Sequence, residues 1–311
     1  MLSRVADSLY WMSRYVERTD SIVRVLRTNY YSSQDEPGQF SWKPVLKTFS
    51  QLPDTDIAAM EYNGRKVLHY MVFDRDNPNA VLNMVMRSRE NARAVQDNIT
   101  KEVWQSLNEF YHIIRDEQLE RALRTEDPVT VLDTIGRQTM YYYGVCDISM
   151  FRGEGLCFMN IGKYLERASQ SAGFLDVKFN DLSYDMNKVS DSSYWKYLLL
   201  SLSGYSLYLK RYRSGFEARN IVDQVLFNTD FPKSVLYSIN QLQRYFQRLR
   251  SDQNIQGFSE TDFLIGRLRS KIQYATVESV SSVGLHNYLT DITNDLYAVG
   301  NKLNQYYFAY S

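Results

Sequence analysis

The first thirty residues carry the feature that most restricts the fold, a long apolar seam at helical spacing. Its members follow alternating steps of three and four residues: Leu2, Val5, Leu9, Met12, Val16, Thr19, Val23 and Leu26. A seam sustained for more than three heptads predicts one long helix that packs against other helices. Ser3 is the predicted N-cap, and the turn-forming segment 32–39 is predicted to end the helix.

Helical patterns also dominate the rest of the chain. Asn77-Pro78 and Asp127-Pro128 each place a capping side chain before a proline at the first helical position, and Phe231-Pro232 is predicted to open another helix. The fold class is therefore all-α, a single compact bundle of about ten helices. After the first helix, the helical patterns cover 44–52, 64–72, 78–97, 101–116, 128–150, 154–176, 192–213, 217–227, 232–250, 259–278 and 285–308.

Composition narrows the class of protein further. The chain has 311 residues, of which 44% are apolar, and its 36 basic and 36 acidic residues cancel. Without a net charge there is no global field to attract nucleic acid, so nucleic acid is not an expected partner. No linker divides the chain, and one domain over residues 1–311 is predicted.

Features of membrane or secreted proteins are missing from the sequence. The N-terminus carries charges where a signal peptide would be apolar, and no apolar run reaches the roughly 18 residues that a spanning helix needs. Cys146 and Cys157 are expected to be two buried thiols in a reducing compartment. The prediction is a cytoplasmic protein without a membrane partner.

An internal repeat is indicated at an offset of 149 residues. The segment 12–19, MSRYVERT, aligns with 161–168, IGKYLERA, so that Tyr15 matches Tyr164 and both copies share a Tyr-x-Glu-Arg step. Apolar seams flank the two copies in the same way. The repeat predicts two related half-bundles, at about 1–150 and 151–311.

The Glu-Arg steps of the two copies are the first candidate site. Glu17 and Arg18 share a flank of the first helix with Trp11, and Glu166 and Arg167 are placed likewise on the second copy. If these flanks are buried, the charges must be paired. If the two helices face each other, each glutamate can pair with the arginine of the other helix. Such a cluster could bind a charged ligand, or it could be a salt-bridge network that fixes helix register.

A second cluster lies in the segment 87–93, RSRENAR. Arg89 and Arg93 are four residues apart on one helical face, which suits a carboxylate or phosphate. Glu90 can pair with an arginine on either side, so a solvated charged face is the alternative. Trp104 and Asn108 are predicted to pack against this cluster.

Motifs for cofactors, metals and nucleophilic catalysis are absent. The sequence has no phosphate-binding lysine loop and no Glu-x-x-His, and its three histidines are scattered. No cofactor and no metal are predicted, and the catalytic residues are unknown, with Glu17 and Glu166 as the candidates.

The opening segment 3–18, SRVADSLYWMSRYVER, resembles the start of the bacterial alpha-E domain family. The resemblance extends nearly end to end, and Lys233 departs from it where arginine is usual. The other segments that resemble the family are 73–78, 89–93, 99–108, 158–167 and 231–234.

The resemblance implies a role beside other proteins. Members of the family look like partners of circularly permuted ATP-grasp proteins and of transglutaminase-like peptidases. This implies a helical accessory or substrate-holding component of a system that forms or removes amide-linked peptide modifications, in which the ATP-grasp protein activates a carboxylate. A small carboxylate or peptide is the implied ligand.

The predicted site residues rest on the family resemblance and on the charged residues that lie off the apolar seams of the two related helices. One group forms a central polar site, namely Glu17, Arg18, Glu166 and Arg167 with Trp11, Tyr15 and Tyr164 beside them. Arg89, Arg93 and Glu90 would recognise a carboxylate.

Two other functions stay open. The chain could be an acyl-transfer or amide-forming enzyme with Glu17 or Glu166 as general base, although neighbouring arginines lower the pKa of a carboxyl group. It could also be a purely structural adaptor whose exposed tyrosines, from a total of 25, contact partners.

Overall fold

The computed structural model describes residues 1–35, 40–186, 192–213, 215–250 and 255–308. Within these ranges the chain forms sixteen α-helices and no strand, which confirms the all-α prediction. The first eight helices are α1 (Ser3–Asp35), α2 (Lys43–Phe49), α3 (Asp54–Ala58), α4 (Gly64–Val72), α5 (Val81–Ala94), α6 (Lys101–Ile114), α7 (Glu117–Thr125) and α8 (Pro128–Ser149). The second eight are α9 (Glu154–Asn180), α10 (Ser192–Ser201), α11 (Tyr205–Arg211), α12 (Ala218–Leu226), α13 (Val235–Gln247), α14 (Ile255–Gln273), α15 (Val277–Val283) and α16 (Leu285–Leu303).

The predicted count of about ten helices was too low. The short helices α3, α7 and α15 were not predicted, because five to nine residues give too few periods for a clear apolar pattern. The predicted helix 192–213 is divided into α10 and α11, since Ser203 adopts a left-handed φ of 56° between them.

Two predicted helix starts were wrong. After Asn77-Pro78 the chain makes a turn in which the Asn77 side chain accepts a hydrogen bond from the Asn79 amide, and α5 begins only at Val81. Likewise α13 begins at Val235, where Ser234 provides the cap in place of the predicted Pro232 start. The Asp127-Pro128 start is confirmed, because the Asp127 carboxylate accepts from the amide of Val129.

Helix α1 has the predicted seam over most of its length. Leu9, Met12 and Leu26 are completely buried, whereas Leu2 is 73% exposed and does not belong to the seam. Tyr10 lies off the seam and is also buried, so the helix is covered on more than one side. The helix ends at Asp35, and the rest of the predicted terminating segment, residues 36–39, lies outside the described residues.

The chain divides into two compact units. The N-terminal unit is Trp11–Phe151, and the C-terminal unit is Met1–Tyr10 together with Arg152–Ser311. In the N-terminal unit α6 packs against α5 and α8, and α7 contacts α4 and α8. In the C-terminal unit α9 packs against α13 and α16, and α14 contacts the same two helices. Both the single domain and the internal repeat stay predictions.

Close backbone packing in the C-terminal unit requires a glycine on α9. A Cβ atom at Gly162 would lie 2.4 Å from the carbonyl oxygen of Tyr10, which is too close for any side chain. Gly173 lies on the same helix and has no atom within 4 Å of its Cβ position. The two glycines therefore form a matched pair for testing this contact.

We expect Gly162→Ala to lower the free energy of unfolding by about 1–3 kcal/mol, as overpacking in a tight core does. Gly173→Ala should leave it unchanged or raise it by up to about 1 kcal/mol, because alanine favours a helix over glycine. Urea denaturation of both variants measures the difference. Equal stability of the two variants would show that α9 does not approach Tyr10 so closely.

A carboxylate links α14 to the C-terminal end of α16. Glu260 accepts hydrogen bonds from Lys302 Nζ at 2.8 Å and from the Tyr306 hydroxyl at 2.8 Å, and Gln256 donates to its other oxygen. These bonds, of which that from Lys302 is the largest cause, lower the pKa of Glu260 from 4.5 to about 2. The unfolded chain therefore takes up this proton first as the pH falls.

Glu260 is thus expected to contribute stability above about pH 4.5, and this contribution is lost as the pH falls toward its folded pKa of about 2. Glu260→Gln should make the loss of stability between pH 6 and pH 3 shallower, as measured by urea denaturation. Glu109→Gln is the control, because Glu109 is exposed. If Glu260→Gln leaves the slope unchanged, the carboxylate is not held as described.

Candidate functional site

The first predicted carboxylate, Glu17, lies in the middle of α1 and is completely buried. Tyr143 on α8 donates its hydroxyl to Glu17 Oε2 at 2.6 Å. One turn earlier, Ser13 and Tyr142 form a second hydrogen bond between the same two helices at 2.9 Å. A hydrogen bond to a carboxylate is stronger than one between neutral groups. Glu17 therefore joins α1 to α8 within the N-terminal unit.

The aromatic residues predicted beside Glu17 lie in the same unit. The rings of Trp11 and Tyr15 are 5.5 Å apart. The guanidinium of Arg14 lies 4.7 Å from the Trp11 ring centre, and that of Arg87 on α5 lies 5.9 Å from the Tyr15 ring centre. The cation–π contact of Arg87 with Tyr15 joins α5 to α1, whereas that of Arg14 with Trp11 lies within α1.

The second predicted carboxylate, Glu166, is 1% exposed on α9 and accepts a hydrogen bond from Gln170 Nε2 at 2.8 Å. The guanidinium of Arg167 lies 5.2 Å from the ring centre of Tyr164. Tyr164 itself stacks on Tyr245 of α13. The second Glu-Arg step therefore belongs to the packed core of the C-terminal unit.

The arginines of the two steps make similar contacts in their own units. Arg18 donates to the side-chain oxygen of Asn79, in the turn before α5, at 3.4 Å. Arg167 donates to the carbonyl oxygen of Pro232, in the turn before α13, at 3.3 Å. Each arginine thus reaches the turn that leads into a helix of its unit. The predicted exchange of partners between the two steps stays a prediction.

The cluster on α5 is brought together as predicted. Glu90 pairs with Arg89 at 2.7 Å and with Arg93 at 2.8 Å. Arg89 also donates to the Asn108 side chain, and its guanidinium lies 5.2 Å from the Trp104 ring centre, which confirms the predicted packing of α6 on this cluster. Since the Glu90 carboxylate already pairs with the guanidiniums of Arg89 and Arg93, the carboxylate of a ligand would have to displace it. A ligand-binding role for these residues stays a prediction.

A groove of about 640 Å³ in the N-terminal unit was not predicted from the sequence. It lies between the turn that follows α4, the α5 helix, and the junction of α6 with α7. Its volume is in the range of pockets that bind small molecules. The lining residues combine apolar and charged side chains: Phe73, Arg75, Leu82, Asn83, Met86, Ile114, Arg115, Asp116, Glu117, Glu120, Arg121 and Arg124.

Hydrogen bonds to main-chain groups hold the walls of this groove. Asn83 on α5 donates to the carbonyl oxygens of Asp74, Arg75 and Asn77 at 2.7–3.3 Å, which fixes the turn that carries Arg75. On the opposite wall, Arg65 donates to three carbonyl oxygens at the C-terminal end of α7. These contacts hold the walls in place, so that the groove exists before any ligand binds.

Ion pairs occupy one end of the groove. Glu120 Oε1 lies 2.8 Å from His69 Nε2 and 2.7 Å from Arg124 Nη2. The hydrogen bond from His69, more than that from Arg124, holds the pKa of Glu120 below its usual value. Glu120 is therefore charged at neutral pH and already compensated, which leaves other charged groups of the groove to meet a ligand.

The groove could not be predicted from local patterns in the sequence. Phe73 and Arg75 lie in one of the segments that carry the family resemblance, but nothing local indicated a cavity there. The opposite wall is α7, which was not predicted as a helix. The signal that could have found it is the segment 116–124, DEQLERALR, in which a capping aspartate and further acidic residues precede basic residues.

Other kinds of site are not found in the described part of the chain. No group of three or more histidine, cysteine, aspartate or glutamate residues there is arranged to hold a metal ion. Cys146 and Cys157 are both buried and form no disulfide, as expected. Of the helices described, none is both long enough and apolar enough to cross a membrane.

The fold and the buried Glu-Arg steps define a class of all-helical domain with a Glu-Arg motif. Residues 1–308 match the Alpha-E family, which is described as a predicted alpha-helical domain with a conserved ER motif. The chain therefore belongs to the Alpha-E family. Glu-Arg steps occur three times in it, at Glu17, Glu120 and Glu166.

Curated relatives come from mycobacteria. An uncharacterized protein of Mycobacterium bovis and two of Mycobacterium tuberculosis are each 22% identical to this chain over 318 residues. The match covers 95% of this chain but 35% of each relative, so the chain spans about a third of the length of the curated relatives it matches. No solved structure matches it.

We expect Tyr143→Phe to lower the free energy of unfolding by about 1.5–3 kcal/mol, because it removes a hydrogen bond to a buried carboxylate. Tyr141→Phe is the matched control on the same helix, since the Tyr141 side chain is 48% exposed. Thermal and urea denaturation compare the two variants. Equal stability would mean that the Tyr143 hydroxyl does not compensate Glu17.

Proposed function

We propose that this chain is a helical, ligand-holding component of a system that forms amide bonds on peptides. In this proposal an ATP-grasp-type ligase is the partner that activates a carboxylate with ATP, and a transglutaminase-like protein acts on the product. The chain holds the peptide or carboxylate that the ligase modifies. Its own role is to bind and position the ligand.

The single observation that carries the proposal is the groove of about 640 Å³ in the N-terminal unit. Phe73, Leu82 and Ile114 are buried and form an apolar floor, while charged side chains form the rim. A groove that combines an apolar floor with charged groups at its edge can orient a ligand that is partly apolar and partly charged. Peptides and amino-acid carboxylates have this mixed chemistry.

Two further observations favour an accessory component. In the mycobacterial relatives the matched region is about a third of a longer protein, so there the domain is joined to further polypeptide. The sequence of this chain also lacks a phosphate-binding lysine loop. Activation of a carboxylate by ATP is therefore assigned to the partner.

The test is a reconstitution of the purified chain with a candidate ATP-grasp-type ligase, a peptide pool and ATP. Mass spectrometry should detect an amide product only when both proteins are present. Arg75→Glu with Arg121→Glu should lower product formation at least about tenfold, because two charges that face the ligand are reversed. Arg137→Glu is the control, since this exposed arginine of the same unit does not line the groove.

Two results would contradict the proposal. Product formation by this chain alone would make it an enzyme, as the general-base alternative requires. Full activity of the ligase without the chain would show that no ligand-holding component is needed.

A scaffold without a ligand is the second candidate, and one surface favours it. Met140, Tyr141, Ile148 and Phe151 are 48–86% exposed on α8 and just beyond its end. Exposed apolar side chains grouped in this way are typical of surfaces that contact another protein. In the reconstitution, activity lost in Ile148→Asp but kept in the groove variant would favour the scaffold.

A further inference from the structure

The charged groups of the groove differ in whether they already have a partner. Arg124 pairs with Glu120, and Arg115 donates to the hydroxyl of Tyr111. The carboxylate of Asp116 accepts from the backbone amide of Gln118 at 2.8 Å. Within the described residues, the exposed guanidiniums of Arg75 and Arg121 form no ion pair and no hydrogen bond. The carboxylate of Glu117, at the start of α7, is in the same situation.

The charged groups that have no partner indicate which charges a complementary ligand should carry. A guanidinium binds a carboxylate through two parallel N–H···O bonds, which gives both affinity and orientation. A carboxylate such as that of Glu117 binds an ammonium group in the same charge-assisted way. Two cationic positions and one anionic position therefore suit a ligand with two carboxylates and one amine.

The apolar residues that line the groove determine what kind of group should join the charged ends of the ligand. Between the charged groups lie the buried side chains of Phe73, Leu82 and Ile114 and the partly exposed Met86. Apolar contact with these residues favours a ligand whose charged ends are joined by aliphatic and amide groups. A compact inorganic anion would leave this floor uncovered.

We infer that the groove binds a short acidic peptide with a free amino end, whose two carboxylates lie on Arg75 and Arg121 and whose amine lies on Glu117. This inference rests on the proposed function, because it names the ligand that the groove holds. It also assigns the recognition of carboxylates to residues other than Arg89 and Arg93, whose guanidiniums both pair with Glu90.

The test is isothermal titration calorimetry of the full chain with four probes. The dipeptide Ala-Glu carries both carboxylates and the amine. Ala-Gln lacks one carboxylate, N-acetyl-Ala-Glu lacks the amine, and inorganic phosphate carries negative charge alone. We expect Ala-Glu to bind, and each of the other three to bind about tenfold more weakly or worse, since a charge-assisted hydrogen bond is lost.

Variants assign each contact to its residue. Arg75→Ala or Arg121→Ala should weaken Ala-Glu about tenfold, and one of the two should no longer distinguish Ala-Glu from Ala-Gln. Glu117→Gln should bind Ala-Glu and its N-acetyl derivative equally. Arg137→Ala should bind all four probes as the unchanged chain does. Far-ultraviolet circular dichroism checks that each variant is folded.

Several outcomes would overturn the inference. Phosphate that binds as tightly as Ala-Glu would show a general anion site, and Ala-Glu binding that is unaffected by all three variants would place the site elsewhere. Absence of Ala-Glu binding would also contradict the inference. The inference alone fails if the chain supports the ligase but binds no acidic peptide. The proposed function alone fails if Ala-Glu binds as described but the ligase works without the chain.

Discussion

Two buried carboxylates are the constraint on which the rest of the structure depends. Glu17 and Glu166 lie in the middle of α1 and α9, the two longest helices, and both are at most 1% exposed. A buried carboxylate without compensation costs several kcal/mol or more. Glu17 accepts a hydrogen bond from the hydroxyl of Tyr143 on another helix, and Glu166 accepts one from Gln170 on its own helix.

The bond between Glu17 and Tyr143 bears on how the N-terminal unit is built. Because the Glu17–Tyr143 bond joins α1 to α8, it helps to fix the position of α8, against which α6 and α7 pack. The groove lies where the end of α6, the start of α7 and the turn before α5 meet. The two helices whose junction lines the groove, α6 and α7, therefore pack on a helix that Glu17 helps to hold. Glu17 and the groove thus belong to the same unit, although they are different in chemistry.

How well each helix could be predicted from the sequence depends on whether the interactions that fix it join residues close together or far apart in the chain. Long periodic helices such as α1 and α8 were predicted well, since their apolar pattern and the Asp127 cap are local. The start of α5 was wrong because the Asn77 side chain forms a turn, which uses the same residues as a helix cap. The short helix α7 is capped by Asp116, but its nine residues give few apolar periods, and it is held in part by Arg65 of α4.

The same distinction holds for the candidate site. The pairing of Glu90 with Arg93 follows from helical spacing and was predicted. The groove was not, because Arg75 and Arg121 are far apart in sequence and line one cavity only after the helices pack. Tyr143 was not singled out either, although its hydroxyl donates to Glu17.

Hydrogen–deuterium exchange of the full chain with and without Ala-Glu tests the central claim most directly, because it shows where the ligand binds. If the groove holds the ligand, exchange should slow in segments 73–83 and 114–124 and stay unchanged around Glu17 and Glu166. Slower exchange confined to the segments around Glu17 and Glu166 would contradict this account. It would instead place the ligand at the Glu-Arg steps of Glu17 and Glu166 and not in the groove.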